Sequence, residues 1–206
     1  MDKNVLLFGG TFDPVHNGHL IVARSLATTR GFDVVVLVPT ANPPHKPNAF
    51  ADADDRLAML RLAIADDPLF RISEVELRRD GPSYTYDTLL ALGEEYGPPA
   101  RLHWMIGADM LADLHKWRRA GQLVEMVEFI VVPRRPWVDR LETIFQTLAR
   151  HFPPEVVQKL RAGVVDTPLV DVSSTDIRRR VRARESITGL VPDAVAAYIE
   201  EFGLYR

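Results

Sequence analysis

Long apolar runs alternate with amphipathic stretches along this chain of 206 residues. The continuous runs have the length and composition of parallel strands that are buried on both faces. They span residues 5–8, 34–39, 102–106 and 129–133. A loosely alternating segment at 70–77 and a short run at 169–172 predict further strands. Because helical patterns separate these strands, the chain is predicted to be an α/β protein with a doubly wound parallel, Rossmann-like sheet.

Helices are predicted wherever apolar residues recur on one helical face. They are expected over residues 53–66, 85–96 and 138–150, with another that begins at Asn17 as its N-cap. From about residue 173 onward the pattern is entirely helical. We therefore expect a Rossmann-like domain over residues 1–172. A C-terminal helical extension over residues 173–206 is expected to pack on it, so that the two form one structural unit.

The loop after the first strand carries the densest group of candidate functional residues. It reads Gly9-Gly10-Thr11-Phe12-Asp13-Pro14-Val15-His16-Asn17-Gly18-His19. In a doubly wound sheet, ligands bind at the carboxyl ends of the strands. Glycine lets the backbone approach a ligand closely, and the start of the following helix favours phosphate. His16 and His19 are three residues apart in the sequence, so they can face the same pocket. The loop is therefore predicted to bind phosphate groups.

Simpler interpretations of this loop are a tight turn with surface histidines or a zinc site. The glycine pair alone, or the histidine pair alone, would favour the tight turn. Zinc could be held by His16, His19 and Asp13, but no further His, Asp or Glu lies at ligand spacing, so no metal site is expected. The combination also differs from the P-loop and from the dinucleotide-binding Gly-x-Gly-x-x-Gly pattern.

A second candidate anion site lies near residue 173. Ser174 and Thr175 place hydroxyl groups at a predicted helix start, and Arg178 follows one turn later in the most basic stretch of the chain. Alone, this segment would be interpreted as a capped helix with a solvated basic face. Together with the first loop, it predicts a clamp on the two ends of a triphosphate.

Composition narrows the class of protein. The net charge of −3 argues against a general binder of nucleic acids or membrane surfaces. The chain has no cysteine, which excludes disulfides, thiolate metal sites and a cysteine nucleophile. No apolar stretch has the length of a membrane span, and Asp2-Lys3-Asn4 is unlike the start of a signal peptide. A cytoplasmic protein is expected, without nucleic-acid or membrane partners; a homo-oligomer stays open.

These motifs resemble those of a known superfamily. The first loop and the segment Ser173-Ser174-Thr175-Asp176-Ile177-Arg178 look like the two signatures of the nucleotidyltransferases with a His-x-Gly-His motif. Within that superfamily, essentially the whole chain resembles the bacterial nicotinate-nucleotide adenylyltransferase family. The closer likeness is carried by Pro43-Pro44-His45-Lys46, Ser83-Tyr84-Thr85-Tyr86-Asp87-Thr88-Leu89, Ile106-Gly107-Ala108-Asp109 and Leu114-His115-Lys116-Trp117.

The resemblance implies an enzyme of NAD biosynthesis that converts ATP and nicotinate mononucleotide into nicotinate adenine dinucleotide and pyrophosphate. The nucleophile would be the 5′-phosphate of the mononucleotide, which is largely dianionic at pH 7 because its second pKa is about 6. No general base is then required, so the work left is orientation and charge neutralisation. Mg²⁺ would be carried mainly by the ATP phosphates, because it keeps waters and needs few protein carboxylates.

The resemblance also implies roles for individual residues. His16, His19 and Arg178 are expected to be catalytic. Contacts with ATP are expected from Gly9, Gly10, Thr11, Phe12, Lys46, Gly107, Asp109, Arg134, Ser174 and Thr175. Substrate choice would rest on Thr85 and Trp117. A pyridine ring can stack on indole, and a nicotinate carboxylate can accept from the Thr85 hydroxyl and from amides at a helix start.

Alternative functions stay open at this point. A carboxylate differs from an amide by a few hydrogen bonds, so nicotinamide mononucleotide is the serious rival substrate. Pantetheine-phosphate and cytidylyl transferases belong to the same superfamily. A nucleotide-binding module without catalysis would share the fold, although the presence of His16, His19 and Arg178 argues against it.

Overall fold

A computed structural model describes residues 3–41, 49–65, 67–133, 137–168 and 170–206. Its sheet consists of β1 (Asn4–Gly10), β2 (Val34–Pro39), β3 (Phe70–Ile72), β4 (Arg101–Gly107) and β5 (Glu128–Val132). All pairings are parallel, and the strands lie in the order β3-β2-β1-β4-β5. The order reverses beside β1, where doubly wound sheets bind their ligands. The predicted fold class is confirmed.

Helices cover both faces of this sheet. In chain order they are α1 (Asn17–Arg30), α2 (Ala53–Ile64), α3 (Thr85–Tyr96), α4 (Ala108–Ala112), α5 (Ala120–Met126), α6 (Leu141–Leu148), α7 (Pro154–Ala162), α8 (Ser174–Arg182) and α9 (Asp193–Glu201), with 3-10 turns at Leu114–Lys116 and Trp137–Arg140. None of the helices in the described part of the chain is both long and apolar enough to cross a membrane.

Alternation along β1 divides the core into two halves. Leu7 points to the face that α3 to α7 cover, where it shares a cluster with Leu89. Leu6 points to the opposite face, which is covered by α1, α2, α8 and α9. Ile177 of α8 and Val195 of α9 are fully buried in that second cluster. The helices after residue 173 therefore share a core with the central strand, while the boundary at residues 172 and 173 stays a prediction.

The structure corrects the expected strands at two places. The strand expected over 70–77 ends at Ile72, because the chain then turns: the Arg78 amide donates to the Glu74 carbonyl at 3.0 Å. The strand expected over 169–172 is wrong for residues 170–172, the described part of that run. The place beside β5 is taken by Val164 instead, which forms a parallel bridge with Val131.

Gly163 explains why this bridge forms where it does. Its carbonyl accepts from the Val131 amide at 2.8 Å, and an added Cβ would lie 2.1 Å from the Phe129 carbonyl oxygen. Only glycine allows the two backbones to approach so closely. The apolar pattern of residues 169–172 does not predict this contact, because the contact depends on the absence of a side chain at Gly163.

Candidate active site

The first loop joins the carboxyl end of β1 to the start of α1, and its two histidines close that helix start. His16 is the N-cap. Its Nδ1 accepts from the His19 backbone N–H at 3.3 Å, and the His19 Nδ1 accepts from the His16 N–H at 3.2 Å. The two imidazoles thus form a reciprocal capping box. The expectation that Asn17 caps α1 is wrong: Asn17 is the first helical residue, and its amide side chain donates to the Gly189 carbonyl at 2.8 Å.

This capping box determines the tautomer of both rings. Because each Nδ1 accepts from an N–H, a neutral ring carries its proton on Nε2 and donates from there. The rings of His16 and His19 stack with centroids 3.5 Å apart and planes 15° from parallel. His19 also packs edge-on against Phe8 and Phe12, whose centroids lie 5.5 and 5.2 Å away. Two imidazole donors are therefore held side by side, as neighbouring oxygens of one anion would require.

Phe12 has a φ of 50°, a left-handed conformation that is uncommon for a bulky residue. It is buried, and its ring packs against both Phe8 and His19. Such strain persists only where the surroundings hold it, and it concentrates at functional sites. Here it accompanies the edge-on contact of the Phe12 ring with His19, two residues after the end of β1.

Gly9 and Gly10 are the last residues of β1, at the carboxyl edge of the central strand. A Cβ on Gly9 would lie 2.6 Å from Cζ2 of Trp104, whose indole is buried in the neighbouring strand β4. Glycine is therefore required at position 9 by packing within the sheet, independently of any ligand.

Gly9→Ala is expected to lower the free energy of unfolding by about 1–3 kcal/mol, because the added methyl group overpacks a filled core. Urea unfolding measures this change. The matched control is Gly93→Ala in the middle of α3, where an added Cβ meets nothing within 4 Å. That variant should stabilise the helix by up to about 1 kcal/mol. Equal stability of the two variants would contradict the packing argument.

Arg56 holds the ends of two strands together from beneath the site. Its side chain is 2% exposed, and its Nη1 donates to the Thr11 carbonyl at 2.7 Å and to the Thr40 carbonyl at 2.9 Å. Thr11 follows β1 and Thr40 follows β2. Burial lowers the pKa of Arg56, and the nearby Asp13 carboxylate opposes that shift. The buried cation thus fixes the carboxyl edge at the point where the first loop begins.

Asp13 connects three distant segments of the chain. Its Oδ2 accepts from the Phe50 backbone N–H at 2.7 Å, and its Oδ1 accepts from the Ala51 N–H at 3.1 Å. The same Oδ1 accepts from the Tyr205 hydroxyl at 2.7 Å. Asp13 is 4% exposed. A buried carboxylate surrounded by donors in this way organises the loop and has little capacity left to bind a metal.

The second signature segment meets the first loop directly. Ser173 caps α8 by accepting from the Asp176 N–H at 3.1 Å. The hydroxyl of Ser174 donates to the Pro14 carbonyl at 2.9 Å. Arg178 donates from Nη1 to the Asp13 carbonyl at 2.6 Å, and its Nη2 reaches the Thr175 hydroxyl at 3.4 Å. Residues 160 positions apart in the sequence therefore form one site.

The remaining predicted ATP contacts lie at the carboxyl end of β4, which is parallel to β1, or outside the described residues. Gly107 ends β4 and is the N-cap of α4, and Asp109 lies in the first turn of that helix. Oδ1 of Asp109 is buried and has no hydrogen-bond partner among the residues that the structure describes. Lys46 and Arg134 lie outside the described residues, so their roles stay predictions.

Thr85 and Trp117 belong to two segments that a salt bridge ties together. Thr85 is the first residue of α3, whose start has no side-chain cap. Trp117 follows a 3-10 turn, is half-buried, and packs edge-on against Phe129 with centroids 6.4 Å apart. The next residue, Arg118, donates to Asp87 in the first turn of α3 at 2.9 Å. An uncapped helix start and an indole thus lie in connected segments.

Sequence reasoning missed the buried polar residues that support these segments. Arg56 could have been noticed, because it lies on the same helical face as Leu60. Glu76 is 3% exposed and accepts from the Thr88 hydroxyl of α3 at 2.8 Å. Burial raises the pKa of Glu76, although the hydrogen bond from Thr88 opposes the shift. Nothing in the sequence pattern distinguishes Glu76 or Tyr205 from a surface residue.

Comparisons with known proteins agree with this geometry. A family model described as Cytidylyltransferase-like matches residues 7–180. A Yersinia pestis protein that bears the name probable nicotinate-nucleotide adenylyltransferase is 44% identical over 207 residues, which span 97% of this chain and 94% of that protein. A Neisseria meningitidis protein of the same name is 40% identical over 99% of both chains.

Solved structures show the same architecture. The nicotinic acid mononucleotide adenylyltransferase of Plasmodium falciparum, complexed with APC, has a TM-score of 0.75 at 18% identity and covers 98% of this chain and 97% of its own. Its complex with NaAD gives a TM-score of 0.74 at 19% identity, with the same coverage. The family model and these relatives identify the chain as a nucleotidyltransferase. The chain belongs to the Cytidylyltransferase-like family and, within it, to the nicotinate-nucleotide adenylyltransferases.

Proposed function

We propose that this protein transfers the adenylyl group of ATP to nicotinate mononucleotide. An oxygen of the mononucleotide 5′-phosphate forms a bond to the α-phosphorus of ATP, and the bond from that phosphorus to the bridging oxygen breaks, so that pyrophosphate leaves with the electron pair. The observation that carries this proposal is the contact between the two signature segments, in which Arg178 donates to the Asp13 carbonyl at 2.6 Å. It sets a guanidinium beside the loop that holds two imidazoles.

The side chains around this contact suit charge neutralisation. His16 and His19 donate from Nε2 to oxygens of the α-phosphate and of the leaving group. Arg178 neutralises the β- and γ-phosphates together with the hydroxyls of Ser174 and Thr175. Negative charge moves from the nucleophile towards pyrophosphate during the reaction, so donors held in advance near those oxygens stabilise the transition state more than the ground state.

The backbone from Gly9 to Phe12 forms the floor beneath the phosphates, where glycine lets the chain approach them. Gly107 and Asp109 lie on the adenosine side. The buried Oδ1 of Asp109 supports this assignment, because a ribose hydroxyl can supply the donor that the described protein groups do not. Lys46 and Arg134 remain our candidates for further phosphate contacts.

Mg²⁺ fits this site as an ion that is bound to the ATP phosphates and enters with them. The Asp13 carboxylate already accepts from two backbone N–H groups and a phenol, and no group of three His, Cys, Asp or Glu in the described ranges is placed to hold a metal ion. An ion held mainly by phosphate oxygens and water matches this donor set and neutralises phosphate charge when bound. The reaction needs neither nucleic acid nor membrane, and we place it in the cytoplasm.

The nicotinate side is assigned to Thr85 and Trp117. The start of α3 has no side-chain cap, so its first amides and the Thr85 hydroxyl are suited to a carboxylate. A neutral carboxamide would place an N–H₂ group against the same donors, which leaves polar groups unpaired. The half-buried indole of Trp117 can stack on the pyridine ring. This chemistry favours nicotinate mononucleotide over nicotinamide mononucleotide.

Pyrophosphate release from ATP tests the proposed function. With nicotinate mononucleotide, kcat/KM is expected to exceed the value with nicotinamide mononucleotide by about 100-fold, because one substrate satisfies the helix-start donors and the other does not. Thr85→Val removes one donor and should reduce this preference by about tenfold. Thr147→Val, which removes a hydroxyl that donates to the Thr143 carbonyl at 3.0 Å within α6, is the matched control. Faster turnover of the nicotinamide form would refute the substrate assignment.

A further inference from the structure

The hydroxyl of Tyr205, near the C-terminal end of the sequence, contacts the first loop. It donates to Oδ1 of Asp13 at 2.7 Å, across 192 positions of sequence. The side chain is buried, and its backbone has a φ of 64°, which is unfavourable for a bulky residue. Burial and the adjacent Asp13 charge raise the pKa of Tyr205, so the phenol stays protonated and donates. Strained backbone conformations concentrate at functional sites, so the strain and the buried hydrogen bond of Tyr205 together indicate a functional role.

The side chains of Asp13 and Arg178 are close enough that the Asp13 carboxylate competes with the Asp13 backbone carbonyl for the Arg178 guanidinium. The Arg178 Nη1 lies 4.0 Å from Asp13 Oδ2, whereas it donates to the Asp13 backbone carbonyl at 2.6 Å. The guanidinium is therefore held beside the carboxylate without a close hydrogen bond to it. The ring of Phe50 stacks over the guanidinium at 4.4 Å, and the Phe50 amide donates to the same Oδ2 at 2.7 Å. Each hydrogen bond that the Asp13 carboxylate accepts from another donor weakens the attraction between this carboxylate and the Arg178 guanidinium.

We propose that Tyr205 is a positioning residue for adenylyl transfer. Its phenol occupies Oδ1 of Asp13, so that Arg178 keeps its position on the backbone carbonyl and presents its remaining N–H groups to the phosphates. Without the phenol, the partly unpaired carboxylate draws the guanidinium towards itself and away from ATP. This role rests on the proposed function, because it acts through Arg178 on the phosphates of the nucleotide.

The chain supplies a matched control. Tyr198 of α9 also donates from its hydroxyl to an aspartate, Oδ1 of Asp55 in the first turn of α2, at 2.9 Å. Both bonds join the segment after residue 190 to an earlier part of the chain, and both consist of a phenol and a carboxylate. Only the Tyr205 bond reaches the residue that contacts Arg178.

The experiment compares Tyr205→Phe with Tyr198→Phe in pyrophosphate release. Tyr205→Phe keeps the ring and removes the hydroxyl, and it is expected to lower kcat/KM for ATP by about tenfold, the effect of displacing one charged donor. The KM for nicotinate mononucleotide should not change. Tyr198→Phe should retain the wild-type constants. Both variants should lower the melting temperature, Tyr205→Phe the more because its bond is buried.

A double-mutant cycle distinguishes positioning from a general loss of stability. If Tyr205 acts through Arg178, the losses in kcat/KM for ATP caused by Tyr205→Phe and by Arg178→Lys will be strongly non-additive. Wild-type kinetics for Tyr205→Phe, or full additivity in the cycle, would overturn the positioning role. Failure of the wild-type protein to release pyrophosphate with nicotinate mononucleotide would overturn the proposed function instead, so the two failures are distinguishable.

Discussion

His19→Ala is expected to lower kcat by about 10²–10³-fold, because removing one donor held in advance against developing negative charge has an effect of this size. The His19 Nδ1 accepts from the His16 amide, so its Nε2 is the donor. The 5′-phosphate nucleophile is already ionised and needs no general base. The loss should therefore appear in kcat, and adding a buffer base to the assay should not restore the rate. Single-turnover measurement of adenylyl transfer reports the chemical step directly.

The same substitution also removes one half of the capping box, and this second effect has to be separated from catalysis. Loss of a cap costs about 1 kcal/mol, which a domain with a stability of about 5–15 kcal/mol tolerates. His19→Gln can restore the cap, because glutamine at this position accepts from the N-cap amide. It cannot restore the stacked imidazole, so we expect stability to recover and most of the loss in rate to remain.

A control substitution removes an imidazole elsewhere. The ring of His151 stacks on His115 with centroids 4.3 Å apart, and His151 is exposed. His151→Ala should leave kcat within about twofold of wild type, as expected for the substitution of an exposed residue that contacts neither signature segment. Near-normal turnover of His19→Ala, or recovery of the rate in His19→Gln, would contradict a catalytic role for this ring.

The sequence was informative where structure depends on neighbours along the chain. Residues 5–8 and 34–39 form strands because continuous apolar runs need burial on both faces, and β1 and β2 contain them. The loop after β1 and the start of α8 were found by residue type and spacing. Their contact, between Ser174 and Pro14, follows from the fold, because residue type and spacing predict only that both segments bind one triphosphate.

The sequence was less informative where one contact decides between similar local choices. Asn17 is the better cap by propensity, yet His16 takes that position because its Nδ1 and that of His19 satisfy each other's amides. The sequence suggests Asp13 only as a possible zinc ligand, because the donors that bind its carboxylate come from the distant residues 50, 51 and 205. Long-range hydrogen bonds of this kind leave no periodicity in the sequence.

Arg178→Ala is expected to lower kcat/KM for ATP by about 10³-fold with little change in KM for the mononucleotide. The side chain is 14% exposed, and two of its N–H groups are anchored on the Asp13 carbonyl and the Thr175 hydroxyl. An anchored guanidinium loses little freedom when it binds phosphate, so its removal takes away both charge and preorganisation. Steady-state titration of each substrate separates the two KM values.

Arg178→Lys and Arg179→Ala separate charge from geometry. Lysine keeps the positive charge but lacks the planar fork and its contact with the Phe50 ring, so we expect an intermediate loss of about 10–100-fold. Arg179, the next residue of α8, pairs instead with Asp176 and Glu185 at the surface. Since exposed ion pairs contribute little, Arg179→Ala should stay within about twofold of wild type. Equal values of kcat/KM for ATP in Arg178→Ala and Arg179→Ala would contradict a specific role for Arg178. They would mean that α8 contributes only general positive charge and that other residues bind the phosphates.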